Sequence, residues 1–289
     1  HIDWFTLVWE AINKNGNGCD YVSQKVIRDS HITKGYLHCG NRKYSTLFLV
    51  HIETLDTSAA RKMLEFVRSG GRIFCIETIP FKSPGWKDHE IRDKEINDII
   101  GELKKYTGGF IHLKKPEKDV INWYRNIQSQ YNIIPYIRID KPDPWVMQNR
   151  YRSDNGSEVL YIINSHLHNS WRSKITFSKV LSAGKFCWIW DPESGKRFRI
   201  SLSRDGSLDV TLGPAESRLF VFDRNKNGSF WNPLPVSGTS EVRLDSGWSA
   251  EFIHCRNGSS VKVQIDTLKD LKDIPEFADF AGIVIYRNK

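Results

Sequence analysis

The chain has 289 residues, of which 39% are hydrophobic and 26% charged. That leaves room for two or three domains and is the balance of a soluble globular protein. The net charge of +8 is spread along the chain among 34 acidic residues, so there is no basic stripe of the kind that tracks a nucleic-acid backbone; a solvated mixed-sign surface is expected instead.

Residues 1–140 alternate strands and helices. Residues 45–50 form a continuous apolar strand, the pattern of a sheet covered on both faces. Asp56 and Thr57 are placed to cap the next helix, in which Ala60, Met63, Leu64 and Val67 recur three or four apart. Gly70 and Gly71 end that helix, and residues 72–76 are the next strand. A loop over 80–85 leads to a helix over 90–106 with Ile91, Ile96, Ile99, Ile100 and Leu103 facing inward. A short strand over 110–113 and a helix over 117–130 complete the series. This βαβα order predicts an α/β domain with a parallel sheet and helices on both sides.

Residues 140–144, Asp-Lys-Pro-Asp-Pro, break the pattern, because the two prolines stop helix and central strand alike. From 145 to 224 short strands follow at close spacing, over 146–152, 158–164, 174–177, 186–190, 197–202, 207–212 and 218–222. Turns at Asp154-Asn-Gly156, Asp191-Pro-Glu-Ser-Gly195 and Arg204-Asp-Gly206 punctuate them. This is the grammar of an antiparallel β-sandwich. Residues 225–239, rich in Asn, Gly, Ser and Pro, read as a second linker. Residues 240–289 hold three or four more strand-like stretches, too little for an independent domain. They are expected to be a partial unit or one that packs on the sandwich.

Three passages carry a resemblance. The first is Tyr44-Ser-Thr-Leu-Phe-Leu-Val with Ala60-Arg-Lys-Met-Leu-Glu-Phe-Val-Arg-Ser-Gly-Gly-Arg-Ile. The second runs from Asn149 to Asn164 and continues through Trp190-Asp-Pro-Glu-Ser-Gly195 and the strand after Pro214. The third is Trp248-Ser-Ala-Glu-Phe252 with Phe280-Ala-Gly-Ile-Val-Ile-Tyr286. In this order they resemble the carboxy-terminal part of glycoside hydrolase family 106, the α-L-rhamnosidase-like enzymes. The resemblance implies an amidotransferase-like (flavodoxin-like) α/β domain over 1–140, a β-sandwich over 145–224, and over 240–289 the opening of a family 2-type sugar-binding jelly roll. It also implies a catalytic (β/α)8 barrel upstream, and both ends of the chain are expected to be cut. Nothing in the chain matches that barrel, so no catalytic residue is carried over.

Glycoside hydrolysis needs two carboxyl groups flanking the scissile bond. Glu53 and Glu77 follow the ends of two parallel strands, with His51 beside them; strand ends are where open α/β sheets bind ligands. These three are the pocket candidates, although helix capping or simple solvation is the commoner use of such residues. Asp191 and Glu193 sit in turn chemistry. Aromatic residues make up 12% of the chain, and flat rings match the apolar faces of pyranoses as well as they fill cores. Trp188, Trp190 and Trp248 are therefore the stacking candidates, with Trp171 and Trp231 beside them; Trp188 and Trp190 share one face of their strand.

Five cysteines, at 19, 39, 75, 187 and 255, are odd in number and lack paired metal-ligand spacing, which argues against a complete disulfide framework. Cys75 lies in an apolar strand-like run without the small turn that a nucleophile elbow demands. Asn164, Ser165, His166 and His168 crowd one strand end without a third metal ligand. No cofactor or metal is expected.

No apolar run reaches the ~20 residues of a membrane span. The chain starts at His1 rather than Met, so an export signal upstream, and a secreted or periplasmic bacterial location, is the expectation. The sequence thus predicts the non-catalytic accessory region of a glycoside hydrolase, with carbohydrate and the upstream catalytic domain as partners. A stand-alone carbohydrate-binding module is the alternative.

Overall fold

The computed structural model describes residues 3–231 and 244–288, divided into two compact units over 1–231 and 232–289. The first unit opens with helices α1 (Asp3–Lys14) and α2 (Gln24–Asp29), followed by a meander of three short strands, β1 (His31–Thr33), β2 (Tyr36–Cys39) and β3 (Arg42–Tyr44). The α/β layer follows as β4 (Thr46–Val50), α3 (Thr57–Arg68), β5 (Arg72–Ile76), α4 (His89–Lys104), β6 (Phe110–Leu113) and α5 (Val120–Gln130).

Strands β4, β5 and β6 are parallel, in that order. Both crossovers step the same way across the sheet, so right-handed connections put α3 and α4 on one face. Leu47, Leu49, Ile73, Cys75 and Phe110 meet them there. The alternate residues Phe48, Val50, Phe74, Ile76 and Ile111 meet α1 and α5 on the other face. A strand buried on both faces must be apolar at every position, which is why these strands read as unbroken hydrophobic runs. Asp56 accepts hydrogen bonds from the amides of Ser58 and Ala59 and so starts α3. The amides of Gly70 and Gly71 close its end on the carbonyls of Val67 and Phe66, the paired bonds of a Schellman cap.

The stripe of α4 is Ile96, Ile99, Ile100 and Leu103. Ile91, expected to face inward, is 73% exposed. Five residues before Ile96 is about 140° off the stripe at 3.6 residues per turn.

The sandwich comprises β7 (Ile137–Ile139), β8 (Val146–Arg152), β9 (Glu158–Asn164), β10 (Trp171–Phe177), a short helix α6 (Lys179–Ser182), β11 (Phe186–Trp190), β12 (Arg197–Ile200), β13 (Ser207–Leu212) and β14 (Ser217–Asp223). A sheet of order β13-β10-β7 faces one of order β12-β11-β14-β9-β8 across a core that includes Ile175, Phe177, Leu160, Ile189, Phe220 and Phe222. Strand β7 precedes the proline break yet pairs with β10, so the sandwich begins before residue 140. Residues 229–231, read from sequence as linker, run alongside β12: the Arg199 amide donates to Ser229 and the Trp231 amide to Arg199. The rest of that predicted linker, 232–239, lies outside the described residues, as do 240–243 at the start of the third predicted segment.

The α/β layer meets the sandwich through a polar segment, Asn13-Lys-Asn-Gly-Asn-Gly18. The Asn13 amide donates to the Gln148 carbonyl at 2.8 Å and accepts from the Gln148 N–H at 3.2 Å. The Gln148 side chain donates to the carbonyls of Asn13 and Asn17. The Gly16 carbonyl accepts from the amides of Tyr136 and Ile137. Gly16 has φ +85°, and a Cβ there would lie 1.8 Å from the Ile137 carbonyl oxygen.

The second unit is an antiparallel sheet of order β16-β15-β17, made from β15 (Trp248–His254), β16 (Ser260–Ile265) and β17 (Gly282–Asn288). Phe252 is buried there, stacked on Phe277 at 3.8 Å between ring centroids. Among the described residues no helix is long and apolar enough to cross a membrane.

Removing the Asn13 amide leaves the edge-facing N–H and C=O of Gln148 buried without partners. Asn13→Ala is therefore expected to cost about 1–3 kcal/mol, measured as a lower urea midpoint. Gly16→Ala is expected to lower the midpoint further.

Candidate functional site

The strand ends of the parallel sheet carry the three predicted pocket residues. His51 and Glu77 directly follow β4 and β5, and both have left-handed backbones, with φ 52° and 65°. Such conformations in non-glycine residues cost energy and mark positions the surroundings over-determine. The His51 amide donates to the Ile76 carbonyl and the Glu77 amide to the Leu113 carbonyl, which turns the chain away from the sheet. The His51 ring nitrogen Nδ1 lies 2.8 Å from the Thr78 hydroxyl. A Glu77 carboxylate oxygen accepts from the Lys115 amide at 2.6 Å, and the Glu77 carbonyl lies 2.8 Å from His112 Nε2.

Glu53 pairs with Lys82 at 2.9 Å, and the hydrogen bond to that ammonium holds its carboxyl below the usual range. The amides of Phe81 and Lys82 donate to the Glu53 carbonyl, and Leu55 donates to Lys82. The two loops are thus zipped together. The strand order runs without reversal, so this sheet has no switch point of the kind that opens a crevice. Glu53 and Glu77 are each held by their own partner. Among the described residues the only buried acid is Glu158, and Arg150, Arg152 and Lys185 surround it at 2.8–3.7 Å.

The outer face of the β12-β11-β14-β9-β8 sheet is different. Period-two alternation sends Cys187 and Ile189 into the core and turns Phe186, Trp188 and Trp190 outward. Trp188 is buried beneath Gly228, where a Cβ would come within 2.6 Å of the indole ring. Its N–H has no acceptor among the described residues. Trp190 is 36% exposed. Register places Tyr161 of β9 opposite Leu219, and Leu219 opposite Trp190; Tyr151 of β8 is also exposed. The two tyrosines escaped the reading of the sequence, although alternation along β8 and β9 puts them on the same face as Trp190.

Of the remaining tryptophans, Trp171 is buried and donates to the Lys141 carbonyl, Trp248 is half-buried and donates to Leu244, and Trp231 packs edge-on against Phe198. Asp191 accepts from Ser194 and the Glu193 amide, which lower its pKa. His166 Nδ1 accepts the amides of His168 and Asn169, so the ring caps its own loop. Sequence reading also passed over a shallow depression between α2 and the meander, lined by Lys25, Asp29, His31, His38 and Cys39. Among the described residues no three His, Cys, Asp or Glu side chains are placed to share a metal ion.

No protein-family model matches this chain, and no curated protein matches its sequence. Its fold does match a solved one. The rhamnosidase from Novosphingobium sp. PP1Y superposes with a TM-score of 0.61 at 19% identity, over 92% of this chain and 26% of that one. This chain therefore shares the fold of one region of that rhamnosidase and spans about a quarter of its length. Two further solved structures are CelM2, a bifunctional glucanase-xylanase from a metagenome library (TM-score 0.22, 18% identity, 56% of this chain and 34% of that one), and a Paenibacillus polymyxa xyloglucanase of family 44 (0.21, 11%, 58% and 35%). At those scores the likeness carries no argument.

Cys75 is fully buried within β5, and burial pushes its thiol up to about 12. It is expected to resist a thiol reagent in the native protein at pH 8, where exposed Cys255 labels, and to react only after unfolding. Rapid native labelling of Cys75 would reinstate it as a nucleophile.

Proposed function

We propose that this chain is a non-catalytic accessory region of a carbohydrate-active enzyme of the family 106, α-L-rhamnosidase-like type. In this reading an amidotransferase-like α/β layer and a sandwich brace a catalytic barrel carried elsewhere in the same polypeptide. The second unit is the start of a sugar-binding jelly roll, and the protein works outside the bacterial cytoplasm. The observation that carries the reading is the fold likeness to one region of a rhamnosidase, which extends over 92% of this chain. It is supported by the dispersal of the acids. Glu53 and Glu77 are engaged by Lys82 and the Lys115 amide, and Glu158 is enclosed by cations. Two carboxyl groups facing a common substrate are what bond cleavage requires.

The alternative, a stand-alone carbohydrate-binding module, draws on the exposed rings Tyr161 and Trp190 on the outer sheet face. On either reading the purified chain turns over an aryl α-L-rhamnoside no faster than buffer. Turnover that disappears in Glu53→Gln or Glu77→Gln would overturn the non-catalytic assignment. A native reading frame that encodes an upstream barrel separates the accessory region from the stand-alone module.

A further inference from the structure

One transverse row of the five-stranded sheet has an unusual composition. The paired registers run Asn149, Tyr161, Leu219, Trp190, Arg197 from β8 to β12. Residues directly opposite one another share a face, so all five project outward together. Neighbouring strands lie about 4.8 Å apart, which puts Tyr161 and Trp190 roughly 10 Å from each other and makes the row roughly 19 Å long. Leu219 between the two rings is half-buried, whereas Tyr161 and Trp190 are 38% and 36% exposed. Polar ends, Asn149 and Arg197, both exposed, flank the pair of rings.

The Arg197 side chain makes no ion pair or hydrogen bond among the described residues; its guanidinium lies 5.8 Å from the centroid of Trp188. Most arginines on this sandwich are engaged: Arg150 holds Glu158, Arg218 holds Glu216, and Arg199 donates to the Lys226 carbonyl. Below Arg197 lies the Trp188 ring, whose buried N–H lacks an acceptor among the described residues. A buried donor without a partner is rare in folded proteins and calls for an oxygen from water or a ligand. A planar guanidinium with a free fork matches a carboxylate in two parallel hydrogen bonds.

We infer that this row is a binding platform for a short acidic saccharide, with Tyr161 and Trp190 stacking on pyranose rings two residues apart and Arg197 pairing with a uronate carboxylate. The inference rests on the carbohydrate reading above and adds its location and the charge of its ligand. A linear ligand is favoured over a protein partner because the row is a single file of rings with polar ends, whereas a protein interface centres on a broad apolar patch inside a polar rim.

The test is calorimetric titration of the full chain with three probes: a galacturonate tetramer, its methyl ester, and a neutral glucose tetramer. The galacturonate tetramer is expected to bind saturably and at least tenfold more tightly than its ester. Trp190→Ala and Tyr161→Ala are expected to weaken binding at least tenfold, with Trp190→Phe retaining most of it, while unchanged thermal melting shows that the variants fold. Arg197→Gln is expected to abolish the preference for acid over ester and leave residual binding to both. Equal affinity for acid and ester in the wild type would overturn the assignment of Arg197. Failure of the folded wild type to bind any of the three would overturn the platform, as would affinity indifferent to Trp190→Ala or a Trp190-dependent dimer that binds no saccharide. Those failures leave the accessory reading to the rhamnoside assay, which reads turnover alone.

Discussion

Two side-chain amides, buried between the helical layer and the β-sandwich, fix the architecture of the first unit. Asn13 and Gln148 exchange hydrogen bonds through both side chains and backbone. Around them Asn15 donates to Ala11 and Ile121, while Gln128 and the Tyr124 hydroxyl both donate to Asn17. Amides are costly to bury unless their hydrogen bonds are met; most of these are, Asn15 Oδ1 and Gln148 Oε1 alone in this cluster lacking a partner among the described residues, so the cluster tolerates little change in geometry. One six-residue segment thereby sets where α1, α5, β7 and β8 stand relative to one another. The apolar cores on either side supply the bulk of the stabilisation; the amides supply register.

The two faces of the five-stranded sheet divide labour. The inner face packs aromatic on aromatic, with Phe177 against Phe220 and Phe222 at 5.5 and 5.0 Å. The outer face mixes rings with guanidinium groups: Arg199 lies 4.5 Å from the centroid of Phe186 and 4.8 Å from that of Phe230. An antiparallel sheet normally presents polar residues on its second face. Here that face carries rings interleaved with cations instead.

The parallel sheet was legible because burial on both faces leaves no choice of residue, and α3 because its cap, its stripe and its terminal glycines agree. The strands of the sandwich were legible from alternation and turns. Less visible was the segment 13–18: Asn-Gly pairs signal exposed turns, and only the fold reveals that these amides are buried. Strand β7 was hidden by its three-residue length. The left-handed backbone of Glu77 has no signature in residue type, and that of His51 only a weak one, since histidine is enriched in that region but occurs far more often outside it. On the outer sheet face the two tryptophans drew attention, yet Tyr161 and Arg197 complete the row. Their relation to Trp190 depends on strand order, which one sequence does not specify.

The placement of residues 229–231 along β12 has a bearing on how the protein behaves in a crowded solution. A terminal strand with free N–H and C=O groups invites pairing with another chain and so seeds aggregation. The Arg199 backbone is already paired, and at the opposite margin Asn13 occupies the outward groups of Gln148. Both flanks of the ring-bearing sheet are blunted, so it can display aromatic side chains without recruiting copies of itself strand to strand.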